Sequence, residues 1–284
     1  ASSTTTIAGN LSVTGTGAGA STIGALTDVT MDIANFVDGI LIQTDSDGSA
    51  PTTGTLNGAT GNVGIGKGVF SALTEGTYNT CFGYYAGSPI AAGTNNTCIG
   101  YAAGYGLSSG GNNLLLGLAA GQAGSPSGNI SSESGEICLG NNSIGEAHVK
   151  VDWTIDSDER DKADIANFTH GLDYVNGLRP VNFVWDMRSD YVEKQSDEDG
   201  NIIPMTEEEI INVVRDGSKK GSDVQLGFIA QEVQAIEDSL GIDNNCIVDT
   251  KREDFYKMKS AKMIPVLVNA IKELSAKVEA LENA

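Results

Sequence analysis

Basic side chains are scarce in this chain. Seventeen lysines and arginines stand against 37 aspartates and glutamates, a formal net charge of −20. A surface that grips phosphates needs the opposite balance, so nucleic acid is excluded as a partner and docking on an anionic membrane is disfavoured. Long apolar runs are missing too: none approaches the ~20 residues of a bilayer-spanning helix, and no membrane insertion is expected. The opening ASSTTTIAGN has no basic patch followed by an apolar stretch, so it does not read as a secretory leader, and without an initiator Met it reads as the interior of a longer protein. The four cysteines, Cys81, Cys98, Cys138 and Cys246, form no C-x-x-C pair. Neither a zinc site nor a disulfide framework is indicated, and no metal or cofactor is expected.

What the chain does contain is divided unevenly. Residues 1–150 hold 29 of the 36 glycines with 9 acidic residues and two basic ones, Lys67 and Lys150; the remainder holds 7 glycines, 28 acids and 15 bases. A length of 284 residues accommodates two or three domains. The division suggests a short-strand segment (1–60), a glycine-rich repeat region (61–150) and a charged C-terminal domain (151–284).

The repeat has a fixed period. NVGIG begins at Asn62, NTCFG at Asn79, NTCIG at Asn96 and NLLLG at Asn113, each 17 residues after the last; EICLG follows at Glu136 after 23, the same unit with a six-residue insertion. Seventeen residues suit two short strands and two turns, and a short period with glycine at the corners predicts stacked β-coils. The recurring Ile65, Phe82, Ile99, Leu116 and Leu139 are expected to stack as a ladder inside, with Cys81, Cys98 and Cys138 as small structural residues one place earlier. Residues 1–60 read as short strands without a period. TDSDGS (44–49) and SDEDGN (196–201) lack full calcium-loop spacing and read as solvated turns.

Beyond the border the pattern changes to helices and strands. FTHGLDYVNGL (168–178) predicts a short helix ended by Pro180, and VNFVW (181–185) a strand. TEEEIINVVRDG carries Thr206 and Glu209 in capping-box spacing, predicting a helix that closes near Gly217. VQLGFIAQEVQAIEDSLG predicts a strand entering a helix stopped by Gly241. In the tail, 263–284, Ile264, Leu267, Ile271, Leu274, Val278 and Leu281 fall at alternating steps of three and four, the a/d seam of a coiled coil, with Pro265 tolerated in its first turn. A helix of this length is marginal alone, so the seam predicts self-association.

At the border itself stands WTIDSDERDKADI (153–165). SDERDK (157–162), LRPVNFVW (178–185), LGFIAQEV (226–233) and MIPVLVNAIKEL (263–274), in that order, resemble the self-cleaving intramolecular chaperone domain at the C-terminus of phage tail fibres, tail spikes and endosialidases, serine peptidase family 74. The glycine repeats resemble the β-roll heads of trimeric adhesins and the glycine-rich shafts of phage tail fibres, which implies a mainly β part of trimeric β-roll or β-prism-like coils; the C-terminal resemblance implies that an α+β domain ending in a trimeric coiled coil follows it. It implies a homotrimer and cleavage before the motif serine: the scissile bond is Asp156–Ser157, Ser157 the nucleophile and Lys162 its base, with Asp158 and Arg160 in support. Asp161 departs from the family's usual leucine, and its carboxylate favours protonated Lys162; KADI replaces the commoner KENI. Both departures bear on cleavage rate.

The chemistry agrees with the residue types. A serine hydroxyl needs a neighbouring base at neutral pH, and a lysine serves only when desolvation or a nearby cation favours its neutral form. Read this way, the chain is the C-terminal part of a phage fibre assembled in the host cytoplasm and carried on the virion. Its expected partner beyond itself is a host receptor, a glycan or surface protein, with Tyr84, Tyr85 and Tyr101 as candidate contacts. Two alternatives remain: a bacterial trimeric adhesin head with its stalk, and an uncleaved fibre with a structural trimerisation cap. A polysaccharide-degrading fibre needs paired carboxylates, whereas residues 61–132 carry one acid, Glu75.

Overall fold

The computed structural model describes residues 4–7, 11–14, 29–33, 35–43, 52–196, 202–203, 205–242, 246–252 and 255–284. The loop 44–49 and most of 196–201 lie outside them. Strands and helices are both present, and the chain ends in a helix. It forms two compact units, one of Ala1–Ala147 with Met187–Arg215, the other of His148–Asp186 with Asp216–Ala284.

In the first unit β1 (Thr4–Ile7) pairs antiparallel with β2 (Leu11–Thr14). β3 (Val29–Ile33) pairs antiparallel with β4 (Phe36–Ile42), and β4 pairs parallel with both β5 (Ala59–Thr60) and β6 (Val63–Ile65). From β6 the sheet continues, always parallel, through β7 (Thr80–Phe82), β8 (Thr97–Ile99), β9 (Leu114–Leu116) and β10 (Ile137–Leu139). Each strand lies beside its own repeat one coil later: Thr80 faces Thr97, Cys81 faces Cys98, and the 23-residue step brings Ile137 beside Leu114. The loops are bonded from coil to coil as well, as in Tyr85 N–H to Lys67 O (2.8 Å) and Ala102 N–H to Tyr84 O (2.8 Å).

The asparagine that opens each unit explains the register. Asn62, Asn79, Asn96 and Asn113 are buried and joined in a relay. The Asn79 side-chain amide donates to Asn62 Oδ1 (3.0 Å) and to Gly93 O (2.8 Å), and Asn79 Oδ1 accepts from the Asn96 backbone and side-chain amides (3.0 Å each). Buried backbone groups must be paired, and here one side chain per coil does so for its neighbours.

This relay also overturns the expected inner ladder. With Asn at the first position pointing inward, strand alternation turns the third position inward and the fourth outward. The inner column is therefore Gly64, Cys81, Cys98, Leu115 and Cys138, packed with Leu73, Ile90, Leu107, Ile130 and the alanines Ala86, Ala103 and Ala120. Ile65, Ile99 and Leu139 lie on the outer face at 40, 42 and 51 % exposure, with Phe82 and Leu116 half-buried beside them. Glycine is obligatory directly after this column: Gly83 and Gly100 have φ of 132° and 131°, and a Cβ on either would lie 2.6 Å from a carbonyl oxygen of the next coil.

Beyond residue 147 the chain adds α1 (Leu172–Gly177), β11 (Val181–Phe183), β12 (Gln195–Ser196), β13 (Ile202–Ile203), α2 (Glu207–Asn212), β14 (Gln225–Gly227), α3 (Ala230–Leu240), β15 (Val248–Asp249), β16 (Lys257–Met258) and α4 (Met263–Glu282). The stretch 187–215 packs with the first unit, where Asn142 Nδ2 donates to Ser189 Oγ (3.4 Å). α2 starts with the expected capping box, Thr206 with Glu209, but stops at Asn212, not near Gly217. Val213 is extended, and exposed, β-branched Val214 offers no buried face to sustain another turn.

In the second unit β11 pairs antiparallel with β14, and α3 ends where Gly241 adopts φ 67°. The core joins Tyr174 of α1, Val233 of α3, Ile247 and Val248, and Met263 and Val266 of α4. Glu237 is fully buried in it, and its carboxylate accepts from the backbone amides of Ile247 (2.9 Å) and Val248 (3.3 Å). Burial, with the Glu237 and Cys246 charges in smaller part, pushes the Tyr174 hydroxyl well above the usual phenol range.

Candidate active site

A 3-10 turn, Glu159–Asp161, organises the border segment. Asp158 caps it: its Oδ1 accepts from Arg160 N (2.9 Å) and Nε (3.0 Å), while Oδ2 accepts from Arg160 Nη2 (2.6 Å). These bonds hold the Asp158 carboxyl below the ordinary carboxylate range and raise Arg160 above its usual value. The chain leaves the turn extended at Lys162, whose N–H donates to Glu159 O (3.1 Å). That reversal returns the Lys162 side chain to Ser157, with Nζ 2.6 Å from Oγ and 2.9 Å from the Ser157 carbonyl oxygen.

Ser157 and Lys162 are thus brought together, with Asp156 the residue just before Ser157. Arg160 is committed to Asp158, so its charge is largely neutralised beside the lysine. The Asp161 carboxylate forms no ion pair with Lys162 among the described residues. All of 156–162 is exposed. Base chemistry from a lysine requires a cover that removes water.

The six seam positions lie on one exposed face of α4, between 44 and 78 % accessible. The other face is used within the unit: Met263, Val266 and Ala270 are buried, Asn269 Nδ2 donates to Phe168 O (2.6 Å), and Glu273 Oε2 accepts from Leu172 N (3.2 Å). Two of the sequence motifs meet in a pair that sequence reasoning missed. Arg179 of LRPVNFVW donates through Nε to Glu232 Oε2 of LGFIAQEV (3.0 Å), and its Nη2 bonds Glu232 Oε1. Opposite charges in two motifs that also pair as strands were the available signal.

The tyrosines of the coils mostly contact one another. Tyr84 and Tyr101 stack with centroids 5.4 Å apart and planes 2° from parallel, and Tyr85 meets Tyr84 edge-on at 4.5 Å. Much of their flat surface is therefore spent within the stack. Among the described residues no cluster of His, Cys, Asp and Glu is arranged to hold a metal ion, and no helix is long and apolar enough to cross a membrane.

Residues 157–242 match the family model described as chaperone of endosialidase, a peptidase S74 family, and the match supports an intramolecular chaperone domain in this part of the chain. No curated protein and no solved structure matches the chain.

Proposed function

We propose that this chain, with its chaperone-of-endosialidase segment at 157–242, is the C-terminal part of a phage tail fibre or spike. In this reading the charged domain gathers three copies, assists folding of the β-coils, and then releases itself by cutting at Asp156–Ser157. The observation that carries it is the 2.6 Å approach of Lys162 Nζ to Ser157 Oγ within the family's matched segment.

Ser157 Oγ attacks the Asp156 carbonyl carbon; the new C–O bond replaces the C–N bond, and the freed Ser157 amine takes the proton that Lys162 relays. Water then hydrolyses the ester, leaving the Asp156 carboxylate as a new C-terminus and regenerating the Ser157 hydroxyl. The exposure of the pair supplies the timing. Only packing by neighbouring copies would dry it, so cutting follows assembly.

The exposed α4 face, Ile264 to Leu281, supports association through a trimeric coiled coil. The outer columns of the coils support it as well, since Ile65, Phe82, Ile99, Leu116 and Leu139 form a continuous apolar strip on a sheet face. Intertwined parallel coils fold slowly, and a terminal clamp raises the local concentration of chain ends. The freed shaft, carried on the virion, contacts a host receptor. The exposure of Ser157 in the single chain equally favours an uncut fibre with a structural cap.

Mass spectrometry and light scattering of the purified full chain separate these. The parent is expected as two fragments joining at 156/157, with a shaft of three copies, and Ser157→Ala and Lys162→Ala as uncut trimers. Ile271→Asp with Leu274→Asp is expected to abolish association. Cutting at the same bond in either dyad variant removes the mechanism, and an intact parent leaves the cap.

A further inference from the structure

Residues 146–156, EAHVKVDWTID, alternate strictly between polar and apolar. Val149, Val151, Trp153 and Ile155 make one row, each between 62 and 78 % exposed; Lys150, Asp152, Thr154 and Asp156 make the other, also exposed. Such alternation marks a strand with one buried face. Here the face is bare, and the backbone of 149–156 makes no hydrogen bond among the described residues. A row of large apolar groups on an unpaired strand lacks both of the partners that its sequence provides for.

We infer that this segment is an association strand whose partners are the same segment in two further copies, the three lying parallel and in register with the Val149–Val151–Trp153–Ile155 row turned inward. The inference rests on the trimer reading above. Equivalent residues of identical chains stand at equal heights about a threefold axis, so the apolar row of each copy meets the same row in the others. The bare apolar row of α4, in the same unit, calls for copies in the same way. The polar row, Lys150, Asp152, Thr154 and Asp156, stays in water on the outside of the three strands. Residues 148–156 carry one lysine and two aspartates, a net −1, so three copies meet with little repulsion in a chain of net −20. Position adds a consequence. The strand ends at the scissile bond, so after the cut it is the last element of the shaft, and a three-stranded plug holds the chain ends that the departing domain no longer holds.

The test uses the full chain with one cysteine added at a time, against the parent with its own four. Under mild oxidation Val151→Cys is expected to give a dimer band on a non-reducing gel; Lys150→Cys, on the outward row, is expected to give no more than the parent. In a parallel sample Trp185→Phe leaves Trp153 as the sole tryptophan of the two. Its emission is expected to be blue-shifted and protected from acrylamide. A species of three chains by light scattering, with Trp153 quenched as in water and no cross-link at position 151, overturns the strand and leaves the trimer reading standing. A monomer overturns both.

Discussion

Replacing Asn96 with alanine should damage the coils more than its small size suggests. The side chain makes three hydrogen bonds: Nδ2 to Gly110 O (2.9 Å), Nδ2 to Asn79 Oδ1 (3.0 Å), and Oδ1 from Asn113 N (3.1 Å). Each is worth about 1 kcal/mol net, and stranding a buried backbone N–H and carbonyl adds roughly 1–3 kcal/mol, so the loss is on the order of 4–6 kcal/mol. Asn96→Asp should lose more at neutral pH, because its carboxylate keeps the bond from Asn113 but faces the oxygens of Gly110 and Asn79 without a proton. Acidification below the ordinary aspartate range, about 3.9, should then recover part of that loss. Urea unfolding of full-length Ser157→Ala, followed by circular dichroism, gives the ranking Asn, Ala, Asp on a chain that cannot cut. An Asn96→Ala midpoint within about 0.5 kcal/mol of the parent, the scatter of ordinary surface substitutions, would falsify the relay as the source of register.

Other positions give further tests. Gly100→Ala places a Cβ 2.6 Å from Gly117 O at φ 131°, and should cost roughly 1–3 kcal/mol in the same urea assay, whereas Gly145→Ala, with open space around it, should not; equal effects sink the argument. Glu232 titrates below its ordinary value because Arg179 donates to it. The pair therefore stabilises the fold fully above the ordinary glutamate range and stops doing so as pH falls through the lowered value. Melting temperatures between about pH 6 and about pH 3 should drop more steeply in the parent than in Arg179→Ala, and parallel curves would remove the pair from the account. Asp161→Leu removes a carboxylate beside Lys162; in a processing time course at low salt it should speed cutting by about twofold, a small effect because water screens exposed charges, and an unchanged rate rules Asp161 out.

Much of the fold is legible in the sequence where a signal repeats or is capped. The 17-residue period gives the strand register directly, since Val63, Thr80, Thr97 and Leu114 line up across β6 to β9. Thr206 with Glu209, and Gly241 after α3, mark helix ends by their own bonding. The approach of Ser157 and Lys162 follows from a five-residue spacing closed by one turn. Face is harder to read. A three-residue strand such as LLL at 114–116 is apolar on both sides, and only the buried bonding of the preceding asparagine decides which leucine is inside. The alternation at 146–156 is legible in the sequence, but a single alternating stretch says that one face seeks cover and not what covers it.

The asparagine relay has an architectural consequence. Each asparagine in the run hands an acceptor to the coil after it, so any coil placed between two others is satisfied on both sides. The fifth unit opens with Glu136, whose N–H takes the last acceptor, Asn113 Oδ1 (2.9 Å), and β10 has no strand beyond it among the described residues. The array behaves as a ruler with a fixed stop. Duplicating or deleting whole 17-residue units upstream of Glu136 changes the length of the stack in steps of about 4.8 Å, one strand spacing, while its end stays the same.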